Sequence, residues 1–239
     1  MFFNCKRIIL SLLLVFNLQI TAYSASIPST STDPLPPLTT AQLSAVIDQS
    51  DFNPDFEISA TPDILDQINK IRANSNTRSV MLTSFSLMKP YLAHIYKTFS
   101  ENDIPFEFST TPLIESGYQI PTTTNNSMSP AGIWQFIPST ARQLGLTVNT
   151  NRDERLIPEL ETIAAVNYLN TLYAIFHNWN LVLIAYKLGD GGTLKLIQTV
   201  GSHNAWVLAR SNAAPADLLP YMIHFDVLVI LIHNPSLLG

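Results

Sequence analysis

The chain has 239 residues, 46% hydrophobic and 13% charged, with a formal net charge of −5. That apolar content rules out an intrinsically disordered protein, and the acidic balance argues against a nucleic-acid binder, which needs a basic stripe to neutralise phosphates. The single cysteine, Cys5, rules out a disulfide scaffold and a cysteine-based zinc site.

In chain order, residues 1–24 read as a secretory signal peptide. Lys6 and Arg7 form the positive end, an apolar run over 8–16 follows, and Ala22-Tyr23-Ser24 supplies small residues for cleavage after Ser24. The run is shorter than the ~20 residues of a spanning helix, although an uncleaved anchor is the alternative. The protein is therefore expected in the periplasm, and Cys5 leaves with the signal. Residues 25–60 read as a linker and N-terminal extension, with the Pro/Ser/Thr-rich stretch PSTSTDPLPPLTT at 28–40.

The rest, 61–239, reads as one all-α domain. Thr61 or Pro62 opens a helix through Ala73. Arg78–Met88 and Lys89–Asn102 read as successive helical pieces, with Pro90 opening the second. After Ile104-Pro105 a helix runs into Ile114-Glu115-Ser116, and Gly117–Pro130 is a polar loop centred on Asn125, Asn126 and Ser127. A short helix opens at Pro138. The strongest helix spans Pro158–Phe176, with Leu160, Ala164, Tyr168, Leu172, Ile175 and Phe176 on one stripe. Asn180 is expected to cap Leu181–Lys187, and the apolar run Val227–Ile232 reads as a core helix.

The chain has no GxGxxG, P-loop, HExxH or GxSxG motif, and its five histidines are scattered. No metal or cofactor site is read. What remains is carboxylate chemistry. Of the seven glutamates, Glu57, Glu101, Glu107, Glu154, Glu159 and Glu161 lie in polar stretches and read as solvated helix faces or caps. Glu115 differs: it ends the apolar segment Thr111–Ile114, and apolar walls raise a carboxyl pKa toward that of a general acid.

The stretch Pro112-Leu113-Ile114-Glu115-Ser116-Gly117-Tyr118 is followed by Gly132-Ile133-Trp134-Gln135-Phe136-Ile137-Pro138-Ser139-Thr140. Further on come Asp153-Glu154-Arg155, Ala164-Ala165-Val166-Asn167-Tyr168-Leu169 and Ala185-Tyr186-Lys187-Leu188-Gly189. In that order these resemble the lytic transglycosylases of the lysozyme-like superfamily, of the membrane-bound murein transglycosylase D type. The resemblance covers roughly 78–200 and, more faintly, 219–232, and the sequence shows no LysM-type repeat.

The resemblance implies a lysozyme-like, goose-type helical domain. It implies cleavage of the β-1,4 bond between N-acetylmuramic acid and N-acetylglucosamine in peptidoglycan, leaving 1,6-anhydro-muramic ends. Peptidoglycan glycan strands are the implied partner of a monomer, with an envelope protein complex left open. It implies Glu115 as the catalytic residue, and Ser116, Gln135 and Tyr186 as substrate-site residues. The family serine that bonds the catalytic carboxyl aligns with Asn126 or Thr124, beside Ser127. Trp134 is open between core and sugar stacking. Three positions depart from the pattern: Lys187 replaces the Asn of Ala-Tyr-Asn, the loop between Glu115 and Gln135 is two residues longer, and Ile157 and Glu161 stand where Asp and Ser are usual. The competing reading is a catalytically weakened peptidoglycan-binding or envelope-assembly module. Lys187 is expected to carry its ammonium outward into water.

Overall fold

A computed structural model describes residues 32–120 and 130–239. The signal peptide and the loop positions Thr124, Asn126 and Ser127 lie outside the described residues.

The described chain is all-α, as expected, apart from two isolated antiparallel bridges, Ala131 with Phe136 and Val148 with Asp153. Residues 33–60 pack on the helices that follow. Thr39 and Gln42 form a reciprocal capping box that opens α1, Thr40–Asp48. The backbone of Leu38 pairs with the Asn69 carboxamide at 2.7 and 3.0 Å, and the Arg72 guanidinium donates to Pro36 O and Leu237 O. Asn53 N–H donates to Glu107 Oε1 at 2.6 Å.

Helix α2 spans Pro62–Ala73, the range expected, with Thr61 accepting from the Ile64 amide and Pro62 in the first turn, where a missing N–H costs nothing. The two expected pieces after it are instead one helix, α3, Ser75–Ser100, with Pro90 inside. In the turns before Pro90, the hydroxyls of Thr83, Ser84 and Ser86 donate to the carbonyls four residues back, at 2.8–3.0 Å. Such back-bonding lets a helix bend locally, and packing along 26 residues outweighs one lost backbone bond.

A 3-10 turn, Phe106–Ser109, leads into α4, Thr110–Ser116. Helix α5 is Pro138–Gln143 and α6 is Pro158–Phe176, again the expected range, though Ile175 is exposed. Helix α7, Trp179–Leu188, is capped by Asn178, whose Oδ1 accepts from the Leu181 amide at 2.9 Å. Asn180, the expected cap, is inside the helix and buried. With Asn at both positions, the cap falls to the one whose backbone is extended (φ −154°). Helices α8 (Asp190–Val200), α9 (Ala205–Arg210) and α10 (Leu218–His233) complete the domain.

The core lies where α7 and α10 meet α2, α4, α6 and α9. Every residue of α7 from Trp179 to Lys187 is buried, as is the run Phe225–Leu231 of α10. Each fully buried Leu or Ile contributes roughly 1.5–3 kcal/mol, so Leu183, with no exposed surface, is a position where truncation to Ala would cost about 2–5 kcal/mol. Among the described residues no helix is long and apolar enough to cross a membrane.

Candidate active site

Glu115 is the sixth residue of α4 and is half-buried. The helix stops at once beyond it, because Gly117 takes a left-handed backbone (φ +62°) and its N–H bonds back to Leu113 O at 3.0 Å. Tyr118 (φ +58°) then turns its ring inward. Its hydroxyl donates to Ser109 O at 2.6 Å, and its ring stacks on Tyr91 with centroids 5.4 Å apart. Burial, with the nearby Tyr91, pushes the Tyr118 phenol far above its usual pKa, so it stays neutral. The end of α4, which presents Glu115, is thus pinned from behind.

The second element is a tight turn, 131–136, closed by a hydrogen bond from Ala131 N–H to Phe136 O at 3.2 Å. It has left-handed backbones at Gly132 (φ +80°) and Gln135 (φ +54°). Its carbonyls receive donors from all sides. Gln135 Nε2 donates to Gly132 O at 2.7 Å, Ser116 Oγ to Ile133 O at 2.9 Å, Tyr186 hydroxyl to Trp134 O at 2.9 Å and Arg155 Nη1 to Phe136 O at 2.8 Å. Ser116 and Tyr186 therefore meet successive carbonyls of the turn that carries Gln135. The structure thus ties the turn that carries Gln135 to Ser116, the residue after Glu115, and to Tyr186.

Both do so through backbone carbonyls, and Tyr186 does not face an opening. Tyr186 has no exposed surface and sits in an aromatic cluster with Trp134, Phe136 and Tyr168. Trp134 is equally buried, and its indole N–H donates to Thr162 Oγ1 at 3.1 Å. That resolves the choice left open by the sequence: Trp134 is a core residue and cannot stack on a sugar.

Two expectations are corrected. Lys187 does not send its ammonium into water. It is 9% exposed, its Nζ lies 2.8 Å from Asp217 Oδ2, and it sits 4.7 Å from the centre of the Tyr221 ring. An acidic partner and an aromatic face one helix away outcompete the short route to solvent. Glu161 and Glu107, read as solvated, are buried, at 0% and 3% exposure. Glu161 lies inside the turn, where Oε1 accepts from Trp134 N–H at 3.1 Å. Burial pushes its carboxyl well above the usual range, while the N–H groups of Trp134, Ile133 and Phe136 and the Arg155 guanidinium pull the other way. A sequence signal existed: 161, 165, 168 and 172 share one helix face, and the other three are apolar.

The segment 153–155 is structural. Arg155 holds Asp153 at 2.6 and 2.9 Å and keeps that carboxyl below its usual pKa, while Glu154 accepts from Thr147 N–H at 2.6 Å. Among the described residues no group of three or more His, Cys, Asp or Glu is placed to hold a metal ion.

Residues 95–209 match the Transglycosylase SLT domain family. Over 112 residues the chain is 36% identical to "Membrane-bound lytic murein transglycosylase D" of Escherichia coli strain K12, covering 46% of this chain and 24% of that protein. The same figures hold for the protein of that description in Escherichia coli strain CFT073. The chain thus spans about a quarter of the length of these curated relatives.

Proposed function

We propose that this chain, whose residues 95–209 form a transglycosylase SLT domain, is a peptidoglycan lytic transglycosylase. It acts in the periplasm after loss of residues 1–24, and it cleaves the β-1,4 bond between N-acetylmuramic acid and N-acetylglucosamine.

Glu115 is the catalytic residue. Its protonated carboxyl gives a proton to the glycosidic oxygen as the bond to C1 of the muramic sugar breaks. The resulting carboxylate then takes the proton of the muramic 6-hydroxyl as that oxygen closes on C1, forming the 1,6-anhydro ring. The proton lost in the first step is regained in the second, so no water is consumed. Because the nucleophile comes from the substrate, the second carboxylate of an ordinary glycosidase is not required. Gln135, half-buried on its turn, contacts the sugar with its carboxamide. Asn126 or Ser127 completes the site from the loop beyond Glu115. Ser116 and Tyr186 hold the turn that aims Gln135.

The observation that carries this reading is the double link through one turn, Ser116 to Ile133 O and Tyr186 to Trp134 O. It brings three separated sequence motifs to the end of α4. The test is digestion of purified murein sacculi with the muropeptides weighed by mass spectrometry. Products ending in anhydro-muramic acid are expected. Reducing ends would make the protein a hydrolase, and binding without products would make it the glycan-binding module instead.

A further inference from the structure

We propose that Glu161 is a positioning residue for this reaction: its carboxyl is the fixed acceptor on which the turn 131–136 is wound, and it sets where Gln135 stands relative to Glu115. The inference rests on the transglycosylase reading and adds to it a residue that does not touch the substrate.

The geometry starts from the peptide groups of the turn. Their carbonyls face outward, to Gln135 Nε2, Ser116 Oγ, Tyr186 hydroxyl and Arg155 Nη1. On the side away from these donors, the N–H groups of Ile133, Trp134 and Phe136 act on one point. Successive N–H groups in a tight turn form a concavity that attracts an anion. Here the acceptor is a carboxyl of the chain itself. Trp134 N–H donates to Glu161 Oε1 at 3.1 Å, and Ile133 and Phe136 N–H act on the same carboxyl.

The fit is close. A Cβ at Gly132 would lie 2.3 Å from each Glu161 carboxyl oxygen and 2.0 Å from Arg155 O, so only glycine lets the turn wrap the carboxyl. Oε2 makes no hydrogen bond, and Oε1 is held by the turn through Trp134 N–H. The charged and titratable groups around it are Arg155, whose guanidinium bonds Asp153 and Phe136 O, and the phenols Tyr168 and Tyr186 of the aromatic cluster next to the turn. Helix α6 anchors the carboxyl from beneath, and Thr162, the next residue, takes the Trp134 indole N–H. One helix turn of α6 therefore fixes both the backbone and the largest side chain of the segment that carries Gln135.

A group that acts only by shaping the turn has a defined kinetic signature. Its loss should matter while Gln135 is present to be aimed and matter little once Gln135 is gone, because coupled sites are not additive. The experiment is a double-mutant cycle of Glu161→Gln and Gln135→Ala on soluble glycan strands, read as kcat and KM separately and corrected for folded fraction. Glu161→Gln keeps the size but turns an amide N–H toward other N–H groups. It is expected to lower kcat/KM by roughly 10- to 100-fold, the scale of a sub-ångström to 1 Å misplacement. In the Gln135→Ala background it should cost less than about 3-fold. Glu161→Asp, which keeps the carboxyl, should recover part of the loss, and it carries the cycle should the Gln variant not fold. Glu159→Gln, which removes an exposed acid of the same helix that does not touch the turn, should leave kcat/KM within about 2-fold of the wild type. Equal losses in both backgrounds, or a Glu161→Gln variant that is less stable yet fully active per folded molecule, would overturn the proposal. Should the wild type bind glycan strands without turning them over, the functional reading alone fails, and the same cycle read in Kd decides the role of Glu161. A wild type that neither binds nor cleaves removes both.

Discussion

Glu161 and Asp226 are both acids without solvent, and the chain treats them differently. Glu161 sits on α6 inside a turn whose N–H groups face it. Asp226 sits on α10, 1% exposed, between Phe225 and Val227, and its Oδ2 has no hydrogen-bond partner. Burial pushes both carboxyls well above the usual range, but for Asp226 no compensating group opposes it. Desolvation is common to the two; what differs is whether the surrounding backbone is arranged around the carboxyl. Where it is, the acid organises a site. Where it is not, the acid is an isolated cost that a neutral form reduces.

The largest expected effect belongs to a third acid, half-buried and exposed to substrate on this account. Glu115→Gln keeps shape and polarity but cannot cycle a proton. Turnover of sacculi should fall by at least ~10²-fold with glycan binding kept; release of anhydro-muropeptides at the wild-type rate would remove Glu115 from the chemistry. Next comes Glu161→Ala, which strands the inward N–H groups of the turn. Chemical denaturation should show a loss of about 2 kcal/mol or more, and a loss below ~0.5 kcal/mol would mean that the turn stands without the carboxyl.

Asp226→Leu is the opposite case. Replacing an unpartnered buried acid with an apolar group of similar size should leave stability unchanged or raise it by about 1–2 kcal/mol. The pH dependence sharpens the contrast. A carboxyl whose folded pKa is raised contributes its full stability below the unfolded value, about 4, and loses it as pH rises toward the folded value. The contribution of Asp226 should therefore decline from about pH 4 upward, so the wild type should lose stability relative to Asp226→Leu over that range. Identical slopes would show that Asp226 does not titrate on unfolding. The smallest effect is expected from Lys187→Asn. With its ammonium held by Asp217, the acidic limb of kcat/KM should move by less than about half a pH unit; a larger rise would place the charge on the catalytic carboxyl.

What the sequence disclosed follows the reach of each signal. Helix α6 is legible to the residue and α2 to within one, because Pro62 and Pro158 mark their first turns and apolar spacing runs on from there. Pro90 misled, since a proline reads as a boundary unless the packing on both sides is known. The motif residues Glu115, Gln135 and Tyr186 were legible as types in order, but not that Tyr186 would work from inside the core. Glu161 was misread because a glutamate in a charged stretch reads as solvated. The N–H groups that make its burial tolerable come from a turn about 27 residues upstream, in backbone that no side-chain pattern records. The partner of Lys187 is hidden for the same reason: Asp217 precedes α10, and pairing between distant segments leaves no local spacing.

The most direct test of the account is the source of the oxygen that closes on C1. Digesting sacculi in water enriched in heavy oxygen and weighing the new muramic ends distinguishes a substrate hydroxyl from solvent. The account predicts anhydro ends carrying no label, because the muramic 6-oxygen is the nucleophile and Glu115 only moves its proton. Ends that gain one heavy oxygen per cleavage would contradict it, since water would then be the nucleophile and a second carboxylate would have to activate it.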